Sequence, residues 1–407
     1  MRVATSQIYN IANLGMAKAQ AAVTRTDEQI ASNKRLLSPG DDPVATTTIL
    51  QLTQELGRIE QFGKNIVIAE NNLNLEEVAL KSVVTMLERM KEIGVAAGNT
   101  AVLTTDDYKA YAAEVDSRLN ELLDLQNTRN ASGQFIFGGY QSGSQPFSND
   151  GGGNYSYHGD EGQLFLQASS SVSVAVSDSG KKLFMDIPSG HNTFSTFAGA
   201  ANSAVPPATV SVGEVVDQEA FDKFFPKDMV VSFTDNGTKY SITERASGKS
   251  LVVGADFKPG EAIEVNGVSF SISGQPAAGD SFFVESSNKE GLATTLSRFS
   301  EAMKTVKNTP ESKAELQKMI DKTLVNIGNA LTNVSSAQSE IGARMNTLES
   351  ATNLNLDTKL YSQKVLGSLQ DLDYAEASTR LQMETFVLSA AQSSFVKVSQ
   401  LNLFSYL

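Results

Sequence analysis

Leu52, Ile59, Ile66, Leu73, Leu80 and Leu87 recur at an unbroken spacing of seven, and Ile320, Ile327, Val334, Ile341 and Leu348 repeat the pattern late in the chain. A seven-residue apolar repeat sustained this far makes a narrow stripe, which keeps facing a partner helix when the pair supercoils left-handed. Phe62, Ala69, Val83 and Met90 supply the companion seam of the first stripe; Leu324, Leu331 and Met345 are expected to do so for the second. Shorter stripes follow the same logic: Tyr108, Val115, Leu119 and Leu122, then Leu292, Phe299, Met303 and Val306. Each of these helices has one apolar face to bury. Those before and after the middle of the chain are therefore expected to be mutual partners.

The middle has another texture. Residues 138–290 hold 19 of the 30 glycines and 7 of the 10 prolines. Short alternating runs (Leu164–Gln167, Val172–Val176, Met229–Thr234, Tyr240–Thr243, Val268–Ile272, Phe282–Val284) read as strands between turns. Asp235-Asn-Gly237 and Val265-Asn-Gly-Val268 predict tight hairpins, because primed turns need positive φ at their central residues. Thr309-Pro310-Glu311 marks a helix start, and Asp41-Asp42-Pro43 reads as a turn running into a helix whose free N–H groups the acids satisfy.

The two extremities carry almost no charge. Residues 1–24 contain only Arg2 and Lys18, and residues 381–407 only Glu384 and Lys397. Both are helix-periodic: Ile8, Ile11, Gly15, Ala19 and Ala22 at one end; Tyr374, Leu381, Leu388, Ala391, Phe395, Val398 and Leu401 at the other. An exposed helix normally carries charge on its free face, whereas here that face is Ser, Thr, Asn and Gln. These twelve residues are the candidate assembly and partner-binding positions. Alone, such ends bury too little to offset an ordering cost of about 1–2 kcal/mol per residue, so disorder before assembly is expected.

Composition narrows the functional classes. The net charge is −13 with no Lys/Arg cluster, which argues against nucleic acid as a partner. The absence of Cys removes disulfides, thiolate nucleophiles and Cys-ligated metals. No apolar run reaches 18 residues, so no membrane span is expected, and Met1–Asn10 has no unbroken apolar stretch of the kind a cleaved export signal needs. His158 and His191 lack any metal or general-base motif and read as surface residues. Gly151-Gly-Gly153 lacks the following Lys-Ser/Thr of a phosphate loop. No catalytic, cofactor or metal site is expected.

Several stretches resemble a known superfamily. Arg344-Met-Asn346 and Ser368-Leu-Gln-Asp-Leu-Asp-Tyr-Ala-Glu376 are similar to the C-terminal signature of the flagellins. Leu37-Ser-Pro-Gly-Asp-Asp-Pro43, Asn127-Thr-Arg-Asn-Ala-Ser-Gly-Gln-Phe-Ile-Phe-Gly-Gly139 with Pro146-Phe147, and the ending Leu401-Asn-Leu-Phe-Ser-Tyr-Leu407 resemble the junction branch of that superfamily, the hook-associated protein 3 family. Val268-Ser-Phe-Ser-Ile-Ser-Gly-Gln-Pro-Ala-Ala-Gly-Asp280 resembles a β-segment of hook-associated proteins.

The resemblance implies a mainly α protein with an inserted β-rich domain, its long antiparallel, coiled-coil helical core built from both chain ends. It implies residues 1–40 as an axial-core helix disordered until assembled, 41–137 and 291–372 as the two halves of a helical domain, 138–290 as an outer β-rich insert, and 373–407 as a second axial-core helix. It further implies a structural, non-enzymatic part of the bacterial flagellum, exported unfolded by the flagellar type III apparatus and located outside the cell. There it would join hook to filament and serve motility. The implied partners are further copies of the chain in a helical layer, flagellin, hook-associated protein 1 and an export chaperone on the C-terminal helix. Two alternatives stay open: flagellin itself, or an insert that carries an enzymatic activity.

Overall fold

The structure is a computed structural model that describes residues 5–404 other than Gly152; the side chains at 5, 6, 8 and 398–404 lie outside that description. The chain is mainly α-helical with strands confined to its middle, and contacts divide it into two units: Met1–Lys64 with Ala351–Leu407, and Asn65–Ser350.

The first unit contains helix α1 (Thr5–Ser32), the start of α2 (Pro43–Ala97), the end of α6 (Pro310–Gln370) and α7 (Tyr374–Phe404). The acidic pair between α1 and α2 behaves as its chemistry dictates. Asp42 accepts the Ala45 N–H at 3.0 Å, with Pro43 at the first helical position where no N–H is needed. Asp41 accepts the N–H groups of Leu37 and Ser38 at 3.0 and 3.1 Å and pairs with Arg25 at 2.8 Å. Those backbone donors hold its carboxyl below the usual carboxylate range. Asn33 ends α1 with φ of 56°, and the chain then pairs briefly with the segment ahead of α7, Arg35 N–H donating to the Gln370 carbonyl at 2.8 Å. Asp373 caps α7 through the N–H groups of Ala375 and Glu376.

The second unit joins the rest of α2 and α6 to α3 (Thr105–Gln126), α5 (Leu292–Thr305) and the insert. Gly94 of α2 lies so close to Leu324 of α6 that a Cβ there would meet the leucine at 2.9 Å, and Lys313 near the start of α6 donates to the Thr100 carbonyl just past the end of α2 at 2.9 Å, so the two helices run antiparallel. The stripe residues Ile66, Leu73, Leu80, Leu87, Ile320, Ile327, Val334, Ile341 and Leu348 are buried. The companion seam of α6 differs from the sequence expectation. Leu324, Leu331 and Met345 are half-buried, and the buried companions are instead Leu316, Thr323, Ala330 and Ala337. Small residues three positions after Ile320, Ile327 and Val334 let the facing helices close, and bulk four positions after is pushed to the flank. The short stripes of α3 and α5 are buried against each other, with Tyr108, Val115, Leu122, Leu296, Phe299 and Met303 at the contact.

Within the insert, β1 (Phe147–Asn149) pairs β2 (Tyr155–Tyr157), and β3 (Phe165–Gln167) pairs β4 (Ser173–Ala175). Beyond a π-helical turn at Lys181–Met185 come β5 (Ile187–Ala198), β6 (Thr209–Val210), β7 (Glu214–Val215) and the short helix α4 (Gln218–Phe224). They are followed by β8 (Met229–Thr234), β9 (Lys239–Glu244), β10 (Ser250–Asp256), β11 (Ala262–Val265), β12 (Val268–Ser273) and β13 (Ser281–Glu290). One antiparallel sheet has the order β10-β9-β8-β13-β5; a second runs β11-β12-β6, with β7 also on β12. Alternate residues of β8, β12 and β13 (Val231, Phe233, Phe270, Ile272, Phe282, Val284) share one apolar core with Phe194 and Phe221.

The second predicted hairpin is a tight two-residue turn: Val265 pairs Val268, with φ of 49° at Asn266 and 81° at Gly267. The first is wider. Thr234 pairs Lys239 across four residues, with Asp235, Asn236 and Gly237 all at positive φ, and Gln275 donates to the Gly237 carbonyl at 3.0 Å. Packing against the 275–276 loop selects the longer turn.

Candidate assembly surface

The charge-poor ends form one structure. α1 and α7 pack antiparallel: the rings of Tyr9 and Phe395 meet edge to face at 5.8 Å, and at the other end of the pair Arg380 donates to the Gln29 side chain at 3.1 Å. Gln29 in turn donates to the Arg35 carbonyl at 2.6 Å. Thr26, Gln29 and Ala377 are buried there. A polar bond of this kind fixes register, which an apolar seam of small residues leaves loose.

The candidate positions separate into two sets around this pair. Ala19, Ala22, Leu381, Leu388, Ala391 and Phe395 are half-buried; Ile11, Gly15 and Tyr374 are exposed. The side chains of Ile8, Val398 and Leu401 lie outside the described residues. Leu381, Leu388 and Phe395 follow one another at seven-residue spacing, so periodicity selects the side of α7 that packs within the molecule. The outward side carries a second apolar set that periodicity passes over, Met383 at 65% exposure, Phe386 at 69% and Val387 at 50%, with Leu14 at 60% on α1; the periodic candidate Ile11 is likewise exposed, at 64%. Their signal in the sequence is that they fall between heptad positions in a segment with almost no charge. Single exposed apolar residues are ordinary, but several on one helix pair, with Ser, Thr and Gln between them, make a surface suited to another protein. On the same unit, Leu354, Leu356, Leu360 and Tyr361 of α6 are exposed as well.

The chemistry of the other candidates is structural. His158 is exposed and bonds Ser148 at 2.7 Å; His191 is exposed. Among the described residues no group of three His, Asp or Glu could hold a metal ion, and no helix is long and apolar enough to cross a membrane.

A helical pair from the two chain ends around a β-rich insert is the architecture of the flagellin class of axial proteins. Residues 3–142 match the bacterial flagellin N-terminal helical region and residues 324–407 the bacterial flagellin C-terminal helical region. The flagellar hook-associated protein 3 of Escherichia coli is 24% identical over 405 residues, 99% of each chain, and that of Salmonella typhimurium 30% identical over 189 residues, 46% of this chain and 58% of the other. Two solved structures from Legionella pneumophila are similar: its flagellar hook-associated protein-3 at 34% identity and TM-score 0.54, covering 79% of this chain and 98% of that one, and its flagellar junction protein FlgL at 33% and 0.51, covering 79% and 99%. The chain belongs to the flagellar hook-associated protein 3 family, a family of structural components of the bacterial flagellum.

Proposed function

We propose that this chain forms the junction between hook and filament and offers the surface on which flagellin polymerises. The observation that carries this reading is the outward apolar face of the α1–α7 pair, on a chain similar over 79% of its length to a flagellar junction protein. A monomer gains nothing from leaving Met383, Phe386, Val387, Leu14 and Ile11 in water, whereas neighbouring subunits in a layer would cover them. The candidate positions Ile8, Ile11, Gly15, Ala19, Ala22, Tyr374, Leu381, Leu388, Ala391, Phe395, Val398 and Leu401 then act in two ways: some close the pair, the others meet neighbours. In this reading the chain is exported unfolded, held beforehand by a chaperone on its C-terminal helix, and seated on hook-associated protein 1. It has a mechanical role and catalyses nothing. The filament-subunit alternative has less support, since the full-length likeness is to hook-associated proteins.

Electron microscopy of a strain lacking the protein tests the reading. The expected result is hooks without filaments, together with flagellin monomers in the medium. Normal filaments would overturn it.

A further inference from the structure

The companion seam of α2 runs Ala69, Glu76, Val83, Met90, so a carboxylate stands in an apolar row. Glu76 is 1% exposed, and its Oε1 has no hydrogen-bond partner among the described residues. On α6 the equivalent row runs Ala330, Ala337 and then Arg344. Between the two stands Asp178, also 1% exposed, from the segment joining β4 to the π-helical turn. Arg344 binds the Asp178 carboxylate through both terminal nitrogens, at 2.8 and 2.9 Å, and Gln163 donates to Asp178 Oδ1 at 2.6 Å. Glu76 lines one small cavity with Val176 and Ser177, the two residues that lead into Asp178. The remaining charges nearby are Glu340, 3.4 Å from Arg344, and Lys182, 3.3 Å from Glu340. The guanidinium thus binds Asp178 and makes no ion pair with Glu76 among the described residues, although both carboxyls are buried. A buried carboxyl without a counter-charge of its own is held at least cost when it keeps its proton.

We propose that Glu76, Asp178 and Arg344 form a proton-dependent latch that fastens the segment entering the insert's π-helical turn to the α2–α6 pair, and that alkaline conditions loosen it. Burial first, and the Asp178 charge second, push the Glu76 carboxyl up to about 8 from an ordinary value of 4.5. A group raised in the closed state contributes its full stabilisation below the open-state value. That contribution is lost progressively as pH climbs to the closed-state value and is gone above it. The latch is therefore tight in mild acid and weakens across neutrality.

The test is backbone hydrogen exchange on the full chain from pH 5.5 to 9, corrected for intrinsic base catalysis. The opening frequency of residues 176–185 should rise by up to about tenfold per pH unit until near pH 8 and then level off, while residues 229–234 and 281–284 in the insert core hold steady. Glu76→Gln, which keeps the shape without the proton, should abolish the slope. Glu76→Leu, a second neutral variant, should do the same if the glutamine chain folds poorly. A flat wild-type profile, or an equal slope in wild type and either neutral variant, would overturn the latch.

Discussion

Arg298 of α5 shows how a single charged side chain can hold two kinds of structure together. It is 6% exposed, yet its donors reach the carbonyls of Gly213, Phe194 and Val212, the Thr193 hydroxyl and the Glu290 carboxylate at 2.7–3.0 Å. Asn326 of α6 donates to the other Glu290 oxygen at 3.1 Å. Removing one member of such a set leaves the others buried and unpaired. Arg298→Ala should therefore cost about 3–5 kcal/mol in urea unfolding of the full chain. Lysine there should restore only part of the loss, because one ammonium cannot fill a planar five-donor site. Gly267 makes a second residue-scale point. Its φ is 81° and a Cβ would strike the Asp217 carbonyl, so Gly267→Ala should lower the thermal midpoint of the insert.

At the scale of elements, the stripes and the outward faces should respond oppositely to truncation. Leu73→Ala in the buried stripe is expected to cost about 2–5 kcal/mol of stability, read by denaturant unfolding. Met383→Ala with Phe386→Ala on α7 should leave that unfolding unchanged and block addition to hooks, scored by electron microscopy. The stripes were legible in the sequence because a period of seven is a property of one helix. The asparagines of α6 were not. Asn326 accepts the Gly190 N–H at 3.1 Å, Asn329 donates to the Pro188 carbonyl at 2.8 Å, and Asn333 donates to the carbonyls of Lys182 and Leu183 at 2.9 and 3.0 Å. They line one helix face and seat the start of β5. A run of Asn on a helix reads as a solvated surface until a partner backbone is known. For the same reason β5 was missed: its Ser, Gly, His, Asn and Thr residues carry no alternation, and its pairing with β13 supplies the order. Of the assembly surface, the sequence revealed the lack of charge and the inward residues. Met383 and Phe386 needed the helix pairing, which decides which side remains free.

For the whole molecule, the division of the chain into two units predicts how it fails. Deleting residues 381–407 removes most of α7, leaving α1 without its partner, while the core of the insert, Val231, Phe233, Phe270, Ile272, Phe282 and Val284, belongs to the other unit. The truncated chain should keep the insert's strand signal in circular dichroism and, on the function proposed above, should neither assemble nor bind an export chaperone. Proteolysis of the free monomer is expected to trim α1 and α7 first. Uniform resistance along the chain would contradict both the deletion argument and the marginal stability of an unassembled end pair.

The bond from Arg380 to Gln29 joins residues 351 apart in sequence. Closing a loop of that length from an open chain costs roughly 5 kcal/mol of entropy, whereas each hairpin of the insert closes over a few residues. The favourable order is therefore inside-out. The insert nucleates, α3 meets α5, α2 then finds α6, and each step shortens the loop that remains for the next. The terminal pair is the last to zip and the first to open. A chain built in this order completes its fold only when its two ends meet, so whatever holds one end apart from the other also holds the last step open.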